Sequence, residues 1–250
     1  MTDALFTYVL RLADDSLILS QRLSAWCYNG PFLEEDIAIT NIALDYLGRA
    51  NSLYEYASSI DKKLRTPDDL AFKRNTNEFY NCLLVEQPNG HFGDTIARQF
   101  MMDAFYVTLF SFLKNSSNEN ISAIAEKSIK ETIYHLRHSS KWVVRLGDGT
   151  KESHHKISHS FNNLWKYTGE LFVNDSVNED LKKKEVCVCL KDVENKWISI
   201  ISEVLTEANI KINDKSKMSY GGRLGNHSQD FKQLLDEMQC LQRTYPDAKW

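Results

Sequence analysis

The sequence is poor in the residues that interrupt helices, with only 10 glycines and 4 prolines among 250 residues. This scarcity favours long uninterrupted elements, most simply helices. An excess of basic charge is also missing, since the formal net charge is −4, which argues against a nucleic acid or an anionic membrane as the partner. No apolar run approaches the roughly 20 residues that cross a bilayer. The opening segment, MTDALFTYVLRLADDS, has no basic region before an apolar core, so no signal peptide is expected.

The cysteines do not form a disulfide pattern. There are 5, an odd number at irregular spacing: Cys27, Cys82, Cys187, Cys189 and Cys240. This argues against a secreted disulfide framework, so we expect a cytoplasmic protein. Only Cys187 and Cys189 lie close together. Without a second pair we interpret them as small apolar residues rather than as part of a redox or metal site.

Apolar residues recur at three- and four-residue spacing over long stretches. They predict four long helices in the first 150 residues, at 4–26, 33–60, 92–114 and 119–146. The second of these runs through Ile37, Leu44, Leu47 and Leu53. A short helix is also predicted from Pro67 to about Asn75, between the second and third long helices, with Thr66 as its cap, and further helices follow the fourth, the last capped by Ser228. The sequence therefore predicts an all-α, single-domain protein over residues 1–250, with a four-helix core at about 4–147 and additional helices at about 150–245.

Four long helices in two pairs match the frame of a ferritin-like di-iron protein. Such a site needs one Glu from each of two helices and a Glu-x-x-His motif from each of the other two. The segment KETIYHLRH at 130–138 comes close to this motif. However, Tyr134 stands three residues after Glu131, and the imidazoles follow at His135 and His138. The motif is displaced by one residue.

At their central, inward positions the other long helices offer only short acids. The second helix has no histidine, and the first offers Asp14 and Asp15, which reach less far than Glu. We interpret four residues as the remnant of a degenerate metal site that binds no metal: Asp45, Asp103, Glu131 and His135. Glu131 and His135 are expected to face inward and to satisfy each other or neighbouring acids. The alternative is a di-iron oxygenase or oxidase that is active on its own with a divergent metal site.

Two further motifs have a simple structural interpretation. A literal Glu-x-x-His runs from Glu152 to His155, but it has no second copy and is expected to be a solvated helix start. The glycine-rich segment from Gly221 to Ser228, with Arg223, could hold a phosphate. No strand precedes it, so a turn that packs the last helix is favoured. An unrelated helical binding module, with Gly221 to His227 as its ligand loop, stays open as an alternative.

Five segments resemble a known family in the same order along the chain. They are RLADDSLILSQRLSAWC at 11–27, LEEDIAITNIALDYLGRA at 33–50, LLVEQPNGHFGDTIARQF at 83–100, KETIYHLRHSSKWVVRLGDGT at 130–150 and DEMQCLQRTYPDAKW at 236–250. The family is the C subunit of the bacterial phenylacetyl-CoA 1,2-epoxidase, a multicomponent ring oxygenase. The combination of LLVEQPNG with the displaced ETIYHLRH is specific.

The resemblance implies a ferritin-like fold and a non-catalytic, structural role in phenylacetate degradation. It implies that a homologous A subunit holds the di-iron centre that activates O2, and that a reductase with FAD and an iron–sulfur cluster takes electrons from NADPH. This chain then binds none of these cofactors. It pairs with the A subunit, in a heterodimer and a higher assembly, and keeps that subunit folded and soluble.

The resemblance also implies contacts with phenylacetyl-CoA where the A and C subunits meet. The expected substrate-binding residues form two groups: Glu78, Phe79, Tyr80 and Asn81 before the LLVEQPNG segment, and Glu179, Asp180 and Leu181 further on. No residue of this chain is expected to be catalytic.

Overall fold

The structure is a computed structural model that describes residues 2–212, 217–246 and 248. Over these residues the chain forms ten α-helices and no β-strand. The helices are α1 (Thr2–Ser24), α2 (Leu33–Ile60), α3 (Pro67–Phe72), α4 (Phe92–Leu113), α5 (Glu119–Gly147), α6 (Lys151–Leu164), α7 (Ser176–Lys182), α8 (Leu190–Glu207), α9 (Gln229–Met238) and α10 (Cys240–Thr244). Short 3-10 helices lie at Thr76–Glu78, Trp165–Tyr167, Gly169–Phe172 and Gly222–Leu224.

The chain divides into two compact units. The first unit comprises residues 1–88 and 221–250, and the second comprises residues 89–220. The single domain predicted over residues 1–250 stays a prediction. No helix in the described ranges is both long and apolar enough to cross a membrane.

The first unit is built on α1 and α2, which pack against each other. Residues 8–20 of α1 are all buried. By contrast, α2 buries one side, through residues that include Ile39, Tyr46 and Leu53. Its start lacks a side-chain cap, but three acidic residues in its first turn suit the positive end of the helix dipole. The short α3 begins with a capping box in which Thr66 and Asp69 bond each other's backbone N–H.

The second unit is built on α4 and α5, with α6 and α8 packed against α4. Helix α4 is buried over almost its whole length, whereas α5 buries a single stripe that is mostly small or polar, with apolar residues towards its two ends. Trp197 of α8 donates its Nε1–H to the Met101 carbonyl at 2.9 Å. A Cβ at Gly147 would lie 2.4 Å from the Ala208 carbonyl oxygen, so the ends of α5 and α8 approach each other closely.

The four predicted long helices are confirmed, with ends shifted by at most a few residues. The structure corrects two details. The helix predicted from Pro67 to about Asn75 ends at Phe72. In α2 the apolar residues Ile37, Leu44 and Leu47 are exposed, although the sequence groups them with the buried Leu53 in one apolar helix.

Candidate functional site

Three buried carboxylates of the first unit hold the segment at 78–82, which includes four of the predicted substrate-binding residues. Asp14 accepts a hydrogen bond from the Tyr80 backbone N–H at 2.8 Å. Asp15 accepts one from the Cys82 N–H at 2.7 Å. Glu86 accepts one from the Asn81 side-chain amide at 3.2 Å. All three carboxylates are fully buried, so the position of this segment depends on interior charges.

Asp14 is paired with Arg74 inside the unit. The Arg74 guanidinium donates to Asp14 Oδ2 at 3.0 Å, and the Tyr54 hydroxyl donates to Oδ1 at 2.6 Å. Arg74 also donates to the Glu78 carbonyl at 2.8 Å and lies 4.0 Å from the centroid of the Phe79 ring. Burial and the Asp14 charge hold the pKa of Tyr54 well above its ordinary value. Burial by itself would lower the pKa of Arg74, but the charge and hydrogen bond of Asp14, together with Tyr54 and Glu78, outweigh it and the pKa is raised. The cluster therefore contains a charged guanidinium and a neutral phenol.

Asp15 is paired with an arginine from the C-terminal part of the same unit. Arg223 donates to both Asp15 oxygens, at 3.0 and 2.7 Å, and its Nη1 also donates to the Tyr80 carbonyl at 2.9 Å. Burial raises the pKa of Asp15, and the Arg223 charge opposes this. The guanidinium that could have met a phosphate is thus bonded to a carboxylate and to the backbone of the segment at 78–82.

The glycine-rich loop packs directly against that segment. A Cβ at Gly222 would lie 2.3 Å from the Asn81 carbonyl oxygen, and one at Gly225 would lie 2.4 Å from the Asn77 carbonyl oxygen. Gly225 also has φ of +78°, a conformation that glycine adopts readily. The loop contains a 3-10 turn at Gly222–Leu224 and precedes α9, and its interpretation as a turn that packs the last helix stays a prediction.

Glu86 joins the segment to the start of α9. Its Oε2 lies 2.9 Å from His227 Nδ1, and its Oε1 accepts from the Ser228 N–H at 2.8 Å. The other imidazole nitrogen, Nε2, lies 3.0 Å from the Phe79 carbonyl oxygen. Ser228 also caps α9, accepting from the Phe231 N–H at 3.2 Å. The Glu86 carboxylate therefore bonds both the start of α9 and the segment at 78–82.

An open cavity of about 300 Å³ lies on the outer side of the same segment. Of the predicted residues, Glu78 and Tyr80 line it, whereas the Phe79 and Asn81 side chains are completely buried. The rest of the lining is mixed: Phe6, Thr7, Leu10, Ile60, Asp61, Lys62, Lys63, Arg65 and Arg74. Arg65 is paired with Asp61 at 2.7 Å, and the exposed Lys62 and Lys63 add two further positive charges to the lining.

The second predicted group of substrate-binding residues lies on α7 of the second unit. Glu179 and Asp180 are exposed, and Leu181 is 1% exposed. Helix α7 begins at the Asp175 cap, which accepts from the Asn178 N–H at 3.1 Å. Ligand contacts from this group are therefore limited to two acidic side chains and the backbone.

The predicted metal-site remnant is divided between the two units. Asp103 on α4 is buried and accepts from Gln99 Nε2 at 2.7 Å and from Ser139 Oγ at 2.8 Å. On α5, His135 is completely buried, as expected, and Glu131 is partly exposed. Asp45, on α2 of the first unit, is partly exposed. That Glu131 and His135 satisfy each other or neighbouring acids stays a prediction.

The described part of the chain holds no group of three or more His, Cys, Asp and Glu side chains arranged for a metal ion. The literal Glu-x-x-His motif is a solvated helix start, as predicted, because Glu152 and His155 are both exposed. His155 stacks on His159 one turn later, with ring centroids 6.3 Å apart.

The similarity to known proteins extends over the whole chain. A family model described as phenylacetic acid catabolic protein matches residues 1–250. The C subunit of the 1,2-phenylacetyl-CoA epoxidase of Escherichia coli (strain K12) is 42% identical over 246 residues, which cover 98% of this chain and 99% of that protein. The predicted resemblance is confirmed, and so is the all-α, ferritin-like fold class.

Proposed function

Because this chain belongs to the phenylacetic acid catabolic protein family, we propose that it is the non-catalytic structural subunit of a phenylacetyl-CoA 1,2-epoxidase complex. The observation that carries the proposal is the 42% identity to an epoxidase C subunit, which extends over nearly the full length of both chains. In this role the chain pairs with the di-iron A subunit, stabilises it in the cytoplasm and contributes to acyl-CoA binding. A partner that binds only the folded A subunit stabilises it by mass action.

The residues at the predicted metal positions support a non-catalytic role. A ferritin-like di-iron site needs about four carboxylates and two imidazoles. In the second unit α5 contributes one buried imidazole, His135, and the Asp103 carboxylate of α4 already accepts hydrogen bonds from Gln99 and Ser139. These residues do not fit a di-iron centre. In the proposal the iron, FAD, the iron–sulfur cluster and NADPH are therefore bound by other chains of the complex.

The cavity beside the segment at 78–82 supports a part in acyl-CoA binding. Glu78 and Tyr80 line it, and Lys62 and Lys63 stand at its rim. Ammonium groups of this kind bind the phosphates of a coenzyme A ligand as point charges. We propose that Tyr80 and the two lysines contact the ligand, while Phe79 and Asn81 only hold the segment in place. Glu179, Asp180 and the backbone at Leu181 are proposed as a second contact region.

Metal analysis tests the non-catalytic role. The full chain purified alone is expected to hold far less than one iron, and to co-purify with the A subunit when the two are expressed together. As a control, His155→Gln with His159→Gln removes the exposed stacked pair, which could collect metal during purification. About two irons per chain that survive this control but are lost in Glu131→Ala or His135→Ala would show instead an oxygenase that is active on its own.

Equilibrium binding of phenylacetyl-CoA to the assembled complex tests the substrate contacts. Tyr80→Ala and Lys63→Gln are each expected to weaken binding about tenfold, which corresponds to about 1.4 kcal/mol. The matched control is Lys191→Gln, a surface lysine of α8 paired with Glu194 at 2.8 Å, and it should leave the affinity unchanged. Wild-type affinity in both cavity variants would remove this cavity from the proposal without affecting the structural role.

A further inference from the structure

Helix α2 is apolar on two opposite sides, and only one of them is buried. On the second side Leu33, Ile37, Leu44 and Leu47 are 71%, 53%, 58% and 41% exposed. They are spaced by four, seven and three residues, which is the spacing of one side of a two-helix interface. We call these four side chains, together with Gly48, the α2 outer face. Isolated exposed leucines are normal, but an aligned row along one helix indicates a surface that another helix covers.

Gly48 is a second, independent indication that another helix covers the α2 outer face. It lies in the interior of α2, where glycine destabilises a helix relative to alanine. A Cβ built at this position would meet nothing within 4 Å. No contact within the described part of the chain requires glycine at position 48. The close approach of a second backbone would require it. The neighbouring Leu44 and Leu47 lie on the same side, so the closest approach falls in the middle of the α2 outer face.

The charge on α2 indicates what kind of chain covers it. The helix carries five carboxylates: Glu34, Glu35, Asp36, Asp45 and Glu55. Its one basic residue, Arg49, is 3% exposed. A second copy of α2 packed parallel would bring carboxylates against carboxylates, which opposes association, and a copy packed antiparallel would offer these carboxylates no exposed basic partner. A different chain, with Lys or Arg beside its own apolar row, is favoured instead.

The dimensions indicate a folded partner rather than a single peptide helix. From Leu33 to Leu47 the row extends about 21 Å at 1.5 Å per residue, and a helix is about 10 Å wide. This footprint of roughly 200 Å² is much smaller than the ~800 Å² that each partner of a stable complex buries. The partner must therefore continue beyond α2, as a chain with several long helices does.

We infer that the α2 outer face is the docking surface for a long helix of the catalytic A subunit, whose apolar row is flanked by basic residues. The inference rests on the proposed function, and it assigns the pairing to a defined surface. Leu44 and Leu47 fill the centre of the contact, Gly48 admits the partner backbone, and the α2 carboxylates face its Lys and Arg side chains.

A pull-down and an equilibrium titration with the purified A subunit test this surface. Leu44→Lys is expected to weaken binding at least tenfold, because it places a positive charge in an apolar contact next to basic residues. The matched control is Ile198→Lys, at an apolar residue on α8 that is 45% exposed, and it should bind like the wild type.

Gly48→Leu separates an interface role from a structural one. In the isolated chain the thermal midpoint should stay the same or rise, because a good helix former replaces glycine in open space. Binding to the A subunit should nevertheless fall at least tenfold. A loss of folding cannot produce this opposite pair of results.

The remaining outcomes separate a failure of the proposed function from a failure of the docking surface alone. If wild-type chain does not bind the A subunit at all, the proposed function fails and the docking surface fails with it. If wild type binds and both Leu44→Lys and Gly48→Leu bind equally well, only the docking surface is wrong. If the wild-type chain forms a dimer by itself that Leu44→Lys dissociates, the occupant is a second copy, and our assignment of the partner is overturned.

Discussion

Replacing Arg74 with methionine is expected to lower the free energy of unfolding by about 3–5 kcal/mol, the usual cost of removing one partner of a buried ion pair. Methionine keeps much of the volume but leaves Asp14 as an uncompensated carboxylate in the interior. Arg74 is 3% exposed and Asp14 is completely buried, so water cannot replace the guanidinium. The Glu78 carbonyl would also lose its hydrogen bond from Arg74. Urea denaturation followed by circular dichroism measures the change.

The neighbouring residue provides the control. Lys73 pairs with Asp69 at 2.8 Å on the surface, with the lysine side chain 54% exposed. Lys73→Met should cost less than about 1 kcal/mol, because solvent screens an exposed pair. Equal losses in the two variants would show that the interior pair contributes no more than a surface pair, and that Asp14 does not depend on Arg74 for its burial.

The Arg74 variant should also loosen the segment that follows it. Asp14 accepts from both Arg74 and the Tyr80 N–H, so a rearranged Asp14 carboxylate weakens the hold on Tyr80. Amide exchange at Tyr80 is expected to accelerate in Arg74→Met and to stay unchanged in Lys73→Met. In the assembled complex the same variant should weaken phenylacetyl-CoA binding through the position of Tyr80.

Local signals explain why the helices were predictable from the sequence. Pro67 after the capping Thr66 marks the start of α3, and Ser228 marks the start of α9. These signals act over one turn of helix, so they can be read without knowing the fold. The displaced motif around Glu131 and His135 was equally local, and it correctly placed His135 in the interior.

The buried charge network could not be predicted in this way. Asp14 and Arg74 are 60 residues apart, Asp15 and Arg223 are 208 apart, and Glu86 and His227 are 141 apart. No periodicity pairs residues at such separations. The strings that contain them were recognised as family segments, but a string does not say which carboxylate meets which arginine.

The apolar pattern of α2 shows a second limit. Its buried residues, such as Ile39, Tyr46 and Leu53, and its exposed residues, such as Leu44 and Leu47, all follow helical spacing. The sequence therefore identifies the helix but does not indicate which apolar side faces the interior of this chain. The resemblance likewise names Phe79 and Asn81 as ligand contacts without indicating that their side chains are buried, and their contact with a ligand stays a prediction.

Glu86→Gln is the second substitution with a large expected effect, a loss of about 2–3 kcal/mol. The carboxylate accepts from the Ser228 N–H and the Asn81 amide and faces the His227 imidazole. Glutamine has one acceptor oxygen, so its NH2 group would face one of the two donors, the Ser228 N–H or the Asn81 amide, and the single oxygen cannot serve both. The start of α9 should open as a result, which faster amide exchange at Ser228 and Phe231 would reveal. Glu152→Gln, in an exposed pair with Lys156, should leave both stability and exchange unchanged.

A double-mutant cycle decides whether Glu86 and His227 act as one unit. His227→Gln removes the imidazole that lies between the Glu86 carboxylate and the Phe79 carbonyl. If the two side chains are coupled, the loss of unfolding free energy in the double variant should be smaller than the sum of the two single losses, by at least about 1 kcal/mol. The reason is that the contact can be removed only once. Additive losses would mean that Glu86 acts mainly through the Ser228 cap. Coupling would instead make His227 the residue through which α9 holds Phe79, and with it the segment that positions Tyr80 at the cavity.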